Sequence, residues 1–212
     1  MNNLKMNKNI EFWGWIEIFN IKSNFEFKRK NVIFCLSVIV TASFVLRLCL
    51  IPYELPLTFD ALLYFWYAND ISILGTLPTD YTLANNGWPI FLSIFFNGLE
   101  SNNFLDYMIL QRVLSVILSC LTIIPVYFLC RKFFNINFSI IGALIFAFEP
   151  HLILNSILGI TESLFILLTT SAIVAILNSK IHMSYVAFIL ASLAVLVRSE
   201  GMILFLPLSI LF

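Results

Sequence analysis

Charge is what this chain has least of. Only 11% of its 212 residues are Asp, Glu, Lys or Arg and 60% are hydrophobic, whereas soluble domains carry about 25% charged and about 45 to 50% apolar residues. Twelve acids and twelve bases cannot cover such a core with polar surface, which excludes a soluble domain. An excess of either sign is also lacking. The formal net charge is zero, and this argues against a nucleic-acid partner. Cysteine is scarce, and Cys35, Cys49, Cys120 and Cys130 all lie in or at the ends of apolar runs. A small hydrophobe is the expected role there, rather than a disulfide or a metal ligand.

Long apolar runs are abundant. With 22 Phe and a mean hydropathy of +0.96, the chain reads as one whose solvent is a bilayer. Residues 31–51 follow Lys28, Arg29 and Lys30 and suffice to cross about 30 Å of hydrocarbon at about 1.5 Å per residue. A cleaved signal peptide is the competing reading. The run starts late, exceeds the usual apolar region of such peptides and lacks a small-residue cleavage site, so a first transmembrane helix is preferred. Further runs at 105–130, 138–148, 160–177, 183–197 and 202–212 are separated by short polar stretches. The expected fold is all-α, a multi-pass membrane protein with about six transmembrane helices, some of them short. The last run reaches Phe212 without a polar cap, so either the last helix is short or the chain is the front part of a longer protein.

Residues 1–30 read as a cytoplasmic segment in which Phe12, Trp13, Trp15, Ile16, Ile18 and Phe19 suit an interfacial helix. Residues 31–212 read as the transmembrane domain. If the spans alternate from the inside, Lys5, Lys8, Lys22, Lys28, Arg29, Lys30, Arg131, Lys132 and Lys180 share one side, nine of the twelve bases, and the positive-inside rule makes that side cytoplasmic. The same alternation puts Glu54, Asp60, Asp70, Asp80, Glu100, Asp106, Glu149, Glu162 and Glu200 on the outer side. Acids contribute little to orientation, so their clustering calls for another explanation, of which function is one.

The first outer loop, residues 52–106, far exceeds the usual helix connection of about 2 to 8 residues, and such loops are commonly functional. Thr58 is placed to cap a helix over 59–74 that ends at Gly75 and Pro78. Its polar exceptions are Asp60, Tyr64 and Asp70. Asp60 lies in the first turn, where the helix dipole favours a carboxylate. A simple helix-start acid would look the same, but ionisable groups at this depth are functional candidates. After the turn at Asn85, Asn86 and Gly87, the pair Trp88 and Pro89 opens a second short apolar helix. Trp66 and Trp88 read as interfacial anchors rather than sugar platforms. Glu162 opens the fourth run, and Asn155, Gly159 and Glu162 would share one helix face if that helix began early.

The ordered set Thr58-Phe59-Asp60-Ala61-Leu62-Leu63-Tyr64, Asn86-Gly87-Trp88-Pro89, Arg112, Asn155-Ser156, Thr161-Glu162-Ser163-Leu164 and Val197-Arg198-Ser199-Glu200-Gly201 resembles the polytopic GT-C glycosyltransferases, in the branch of the dolichyl-phosphate-mannose-protein mannosyltransferases and aminoarabinose transferases. The resemblance covers roughly residues 30–212 and rests on order and sidedness. It implies a polyprenyl-phosphate sugar donor, a protein, lipid or glycan acceptor, and transfer on the extracytoplasmic face of the cell membrane. It also implies that Asp60 is the aspartate that acts on the acceptor as base or orienting group. Relatives often carry a second acid beside it, whereas its neighbours here are Phe59 and Ala61. The resemblance aligns Glu162 with an acid near the donor or a metal.

Such transfer needs a group to activate the acceptor, cations for the departing phosphate and a cleft that excludes water. Asp60 serves the first. Arg112 and Arg198 serve the second, because guanidinium matches phosphate oxygens and stays charged. Snorkelling, or pairing with Asp106 and Glu200, is the alternative for both. Tyr64, Asn155, Glu162 and Glu200 complete the candidate substrate site. Asp60, Glu162, Glu149 and His151 are a weaker candidate set for Mg2+ or Mn2+, since Pro150 makes the intervening turn in any case. A transport or flippase module, or a scaffold subunit, is the rival reading. It would place ionisable or unwound segments at mid-membrane, whereas these groups cluster at one face.

Overall fold

The computed structural model describes residues 29–79, 85–178 and 180–212. The expected interfacial helix of the first thirty residues, together with Asp80, lies outside the described residues. The described residues are helical throughout, with no strand. Helix α1, Arg29–Leu50, is 22 residues long and spans about 33 Å. The long loop then contributes α2, Phe59–Leu74, and α3, Gly87–Phe96. Helices α4, Phe104–Leu121, and α5, Ile123–Phe133, follow, running together as one apolar stretch of 30 residues. Their junction at Thr122 has a local cause. Pro125 has no N–H to offer the preceding turn, and the Thr122 hydroxyl donates to the Leu118 carbonyl at 2.8 Å.

Helices α6, Ile136–Phe148, and α7, Pro150–Leu158, follow, then α8, Glu162–Ile176, and α9, Ile181–Val197. A 3-10 turn over Ser199–Leu204 leads into α10, Phe205–Leu211. Among the described residues two helices are long and apolar enough to cross a membrane, or three if the pair α6 and α7, bent by 48°, counts as one. The remaining apolar helices are shorter. Proline and glycine explain the difference. Pro150 ends the run that begins at 138, and Gly159, at φ 76°, closes α7 so that α8 starts afresh at Glu162. With 15 residues, α8 covers only about 22 Å.

Of four apolar clusters among the described residues, the two largest hold the bundle. In one, Ala61, Phe65 and Ala68 of α2 and Trp88, Leu92 and Phe96 of α3 pack on Leu114, Leu118 and Leu164. In the other, Val32 and Ile39 of α1 meet Ile123, Tyr127, Ala143 and Ala147. The spacing 61, 65, 68 is one face of an α-helix. The loop helices are therefore part of the bundle. Trp88 is not an interfacial anchor: it is fully buried, whereas Trp66 stays 38% exposed. On the outside, large apolar side chains such as Phe34 and Ile145 remain exposed, as expected of helices solvated by hydrocarbon.

Interior polar groups are spent on broken backbone. The last carbonyls of α6 have no intrahelical donor, and the Ala147 oxygen accepts from Arg47 Nη1 at 2.9 Å and from the Ser43 hydroxyl at 3.1 Å. Arg47 Nε donates to Ser156 Oγ of α7 at 3.2 Å. One buried guanidinium thus ties α1 to both sides of the bend.

Helix α3 packs tightly on α9. A Cβ on Gly87 would lie 2.7 Å from the backbone carbon and oxygen of Leu196. We predict that Gly87→Ala destabilises the bundle by about 1 to 3 kcal/mol through overpacking, read as a lower melting temperature in detergent. An unchanged temperature would contradict this packing.

Candidate functional site

The site is assembled around the turn between α7 and α8. Gly159 adopts a left-handed conformation there, which glycine alone adopts without strain. Its carbonyl accepts from Trp88 Nε1 at 3.2 Å and from Gln111 Nε2 at 2.8 Å. Gln111 also donates to the Ala61 carbonyl at 3.0 Å. One fully buried amide thereby fixes α2, α4 and the turn relative to one another, with α3 attached through its indole. Glu162 opens α8 immediately beyond.

Across from it, Arg198 ends α9 in an extended conformation. Its Nη1 lies 2.6 Å from Glu162 Oε1 and its Nη2 lies 3.0 Å from Glu200 Oε1. The Phe165 ring, one turn into α8, lies 5.8 Å from the guanidinium carbon, within cation–π range. Gly201 allows the chain to fold back, since a Cβ there would sit 2.8 Å from the Val195 nitrogen.

Glu162, Arg198 and Glu200 line an open cavity of about 310 Å3, together with Asp60, Leu63, Tyr64, Asn85, Ile160, Thr161 and Ser199. Asp60, in the first turn of α2, is exposed at its rim. Thr58 stands at the N-cap position without making a side-chain capping bond. Three carboxylates and one guanidinium give the cavity a negative balance.

The charges are mutually supporting. The hydrogen bond from Arg198 holds the Glu200 carboxyl below its usual range. The same bond is the largest reason that Arg198 holds its proton more firmly than usual, with Glu162 adding to it and burial opposing. Tyr64 is pushed above the usual phenol value, first by burial and then by the nearby Glu162. It remains a neutral hydroxyl able to donate.

Of the residues singled out in the sequence, Asp60, Tyr64, Glu162, Arg198 and Glu200 converge here, and Arg198 has both the pairing expected of a structural arginine and a face on the cavity. Arg112 does not join them. It is buried, and its Nη1 donates to the carbonyls of Pro52 and Leu55 at 2.9 and 2.7 Å while its Nη2 donates to that of Pro56 at 2.8 Å. The chain leaving α1 for the outer loop has no helical partners for these oxygens, and Arg112 supplies them. It does not pair with Asp106, which accepts from Ser101.

Asn155, Gly159 and Glu162 do not share one helix, because Gly159 ends α7. Asn155 and Glu162 nevertheless line a second, much smaller cavity of about 10 Å3. The proposed metal set is not brought together. Glu149 caps α7, accepting from the Leu152 N–H at 2.7 Å. His151 is exposed and lines neither cavity. Among the described residues no group of three or more His, Cys, Asp or Glu could hold a metal ion.

Sequence reading missed Asn85 and Ser199 at the cavity, and Arg47 and Gln111 behind it. The last two carried a signal, since each is a strongly polar residue inside an apolar run. Asn85 and Ser199 carried none beyond standing next to marked neighbours.

Comparison with protein-family models, curated protein sequences and solved structures finds no match for this chain.

The lowered Glu200 carboxyl has a measurable consequence. Its ion pair with Arg198 adds stability above the unfolded carboxyl's range and loses it as pH falls through the folded value. We predict that Glu200→Gln melts below the parent at neutral pH and that the gap closes in acid. A gap that persists below the carboxylate range would remove Glu200 from the pair.

Proposed function

We propose that the chain is a membrane glycosyltransferase of GT-C type that transfers a sugar from a polyprenyl-phosphate carrier to an acceptor on the extracytoplasmic face. The observation that carries this reading is the convergence, in one 310 Å3 cavity, of Asp60, Glu162 and Arg198, which are supplied by the first loop helix, the start of α8 and the end of α9. The cavity opens beside a bundle whose long helices are apolar on the outside, where a lipid-linked donor would arrive. Six transmembrane segments, with the N-terminus cytoplasmic and the first loop outside, are the topology that suits this role.

In this reading the acceptor oxygen attacks the anomeric carbon, the bond from that carbon to the phosphate oxygen breaks, and the phosphate leaves with the electron pair. Asp60 orients the acceptor hydroxyl and takes its proton. Arg198 neutralises the departing phosphate, and Tyr64 offers its hydroxyl to the sugar. Both arms of Arg198 are occupied by carboxylates, so phosphate must replace one of them. The Glu200 side chain is 55% exposed and that of Glu162 27%. The more exposed arm is the weaker one and the one to be exchanged.

A transporter would leave its unwound carbonyls free for cargo. Here the carbonyls of Ala147 and Gly159 are already taken by Arg47, Trp88 and Gln111, which favours the enzyme.

Incubating membranes that carry the chain with labelled polyprenyl-phosphate sugars tests the reaction. Asp60→Asn should abolish transfer while leaving membrane insertion intact, and near-parental transfer would remove Asp60 from its role. Arg198→Ala should weaken donor use by about 2 kcal/mol, and Glu200→Gln should lower the KM for donor by freeing the guanidinium. A raised KM for Glu200→Gln would make Glu200 a ligand rather than a competitor.

A further inference from the structure

Behind the open cavity lies the small chamber of about 10 Å3, with polar walls from Ser119 and Thr122 of the α4–α5 span, Asn155 of α7, and Glu162 and Ser163 of α8, and apolar walls from Phe146, Leu152 and Ile166. This is the volume needed to admit a single water molecule, which also requires two to four polar partners.

The partners are present and unspent. Ser119 is 5% exposed, and its hydroxyl has no hydrogen bond among the described residues; neither has the Asn155 amide. The other hydroxyls are engaged with protein. Thr122 donates to Leu118 at 2.8 Å, and Ser163 shares a 2.9 Å bond with Ser115. Glu162 borders both cavities. Its Oε1 is held by Arg198, whereas its Oε2 has only Thr161 Oγ1 at 3.4 Å, a weak contact. The Ser119 hydroxyl and the Asn155 amide each keep surface that a water molecule can reach, and in a bundle of this polarity a bridging water satisfies both.

We propose that the chamber binds one structural water that bridges the Ser119 hydroxyl, the Asn155 amide and the Glu162 carboxylate. The water holds Glu162 from its inner side while Arg198 holds it from the cavity. Ser119 and Asn155 are then positioning residues for Glu162, acting through a solvent molecule. On the open side the charged or titratable groups facing Glu162 are Arg198, Glu200, Tyr64 and Asp60, and the chamber adds none. The inference does not depend on the proposed sugar transfer.

The test compares two isosteric substitutions in purified protein. Ser119→Val and Ser119→Thr add the same volume, but only threonine keeps a hydroxyl. With Asn155 present, Ser119→Val should melt about 3 °C below Ser119→Thr, and in an Asn155→Leu background that difference should vanish because the water has gone. Equal melting of the two variants with Asn155 present, or the same difference in both backgrounds, overturns the proposal. Independently of any variant, an experimental map of the parent protein at about 2 Å resolution should show one density peak within hydrogen-bond reach of Ser119 and Asn155. An empty chamber overturns it.

Discussion

A chain solvated by hydrocarbon must find a donor for every carbonyl that a broken helix releases, and this constraint organises the structure around the Gly159 oxygen. Two buried donors from separate elements, the Trp88 indole and the Gln111 amide, meet on that single atom. The left-handed glycine turns the chain so that α8 begins at Glu162, at the wall of the cavity. The same constraint operates at the other end of α7, where Arg47 and Ser43 serve the Ala147 oxygen.

The three arginines embedded in the apolar part of the chain thus divide by task. Arg47 and Arg112 answer backbone carbonyls and are buried for it. Arg198 answers carboxylates and stays partly exposed on a cavity. Only the last presents its charge to a cavity. An ion pair joining residues 36 apart also links the start of α8 to the end of α9, so the cavity wall and the helix pair are stabilised by one contact. Because both partners are about one-third exposed or less, the pair escapes much of the screening that weakens surface bridges.

Much of this was legible in the sequence. The helix over 59–74 follows from apolar density and the stop at Gly75 and is found with the same limits, although Thr58 at its N-cap position makes no side-chain bond. The opening of α3 at Trp88 and Pro89 follows from proline's place in a first turn. Asp60, Glu162 and Arg198 stood out because ionisable groups in an apolar chain are few. Helix lengths were less legible, because hydropathy averages over breaks that a single Pro150 or Gly159 introduces. Trp88 and Arg112 were misread for a common reason. Composition reports that an amphipathic side chain sits near a helix end, but its partner is a carbonyl supplied by a distant turn, and carbonyls have no sequence signature. Ser119 carries no mark in the sequence, since a lone hydroxyl in an apolar run is common, and only the fold brings it to the same small chamber as Asn155.

Glu162 and Arg198 meet in one wall of the cavity, and a charge reversal tests that contact most directly. Glu162→Arg and Arg198→Glu should each lower the melting temperature in detergent, and the double reversal should recover the greater part of the loss. A double variant as unstable as the sum of the two single variants would show that the two groups do not meet, and the cavity would have to be abandoned.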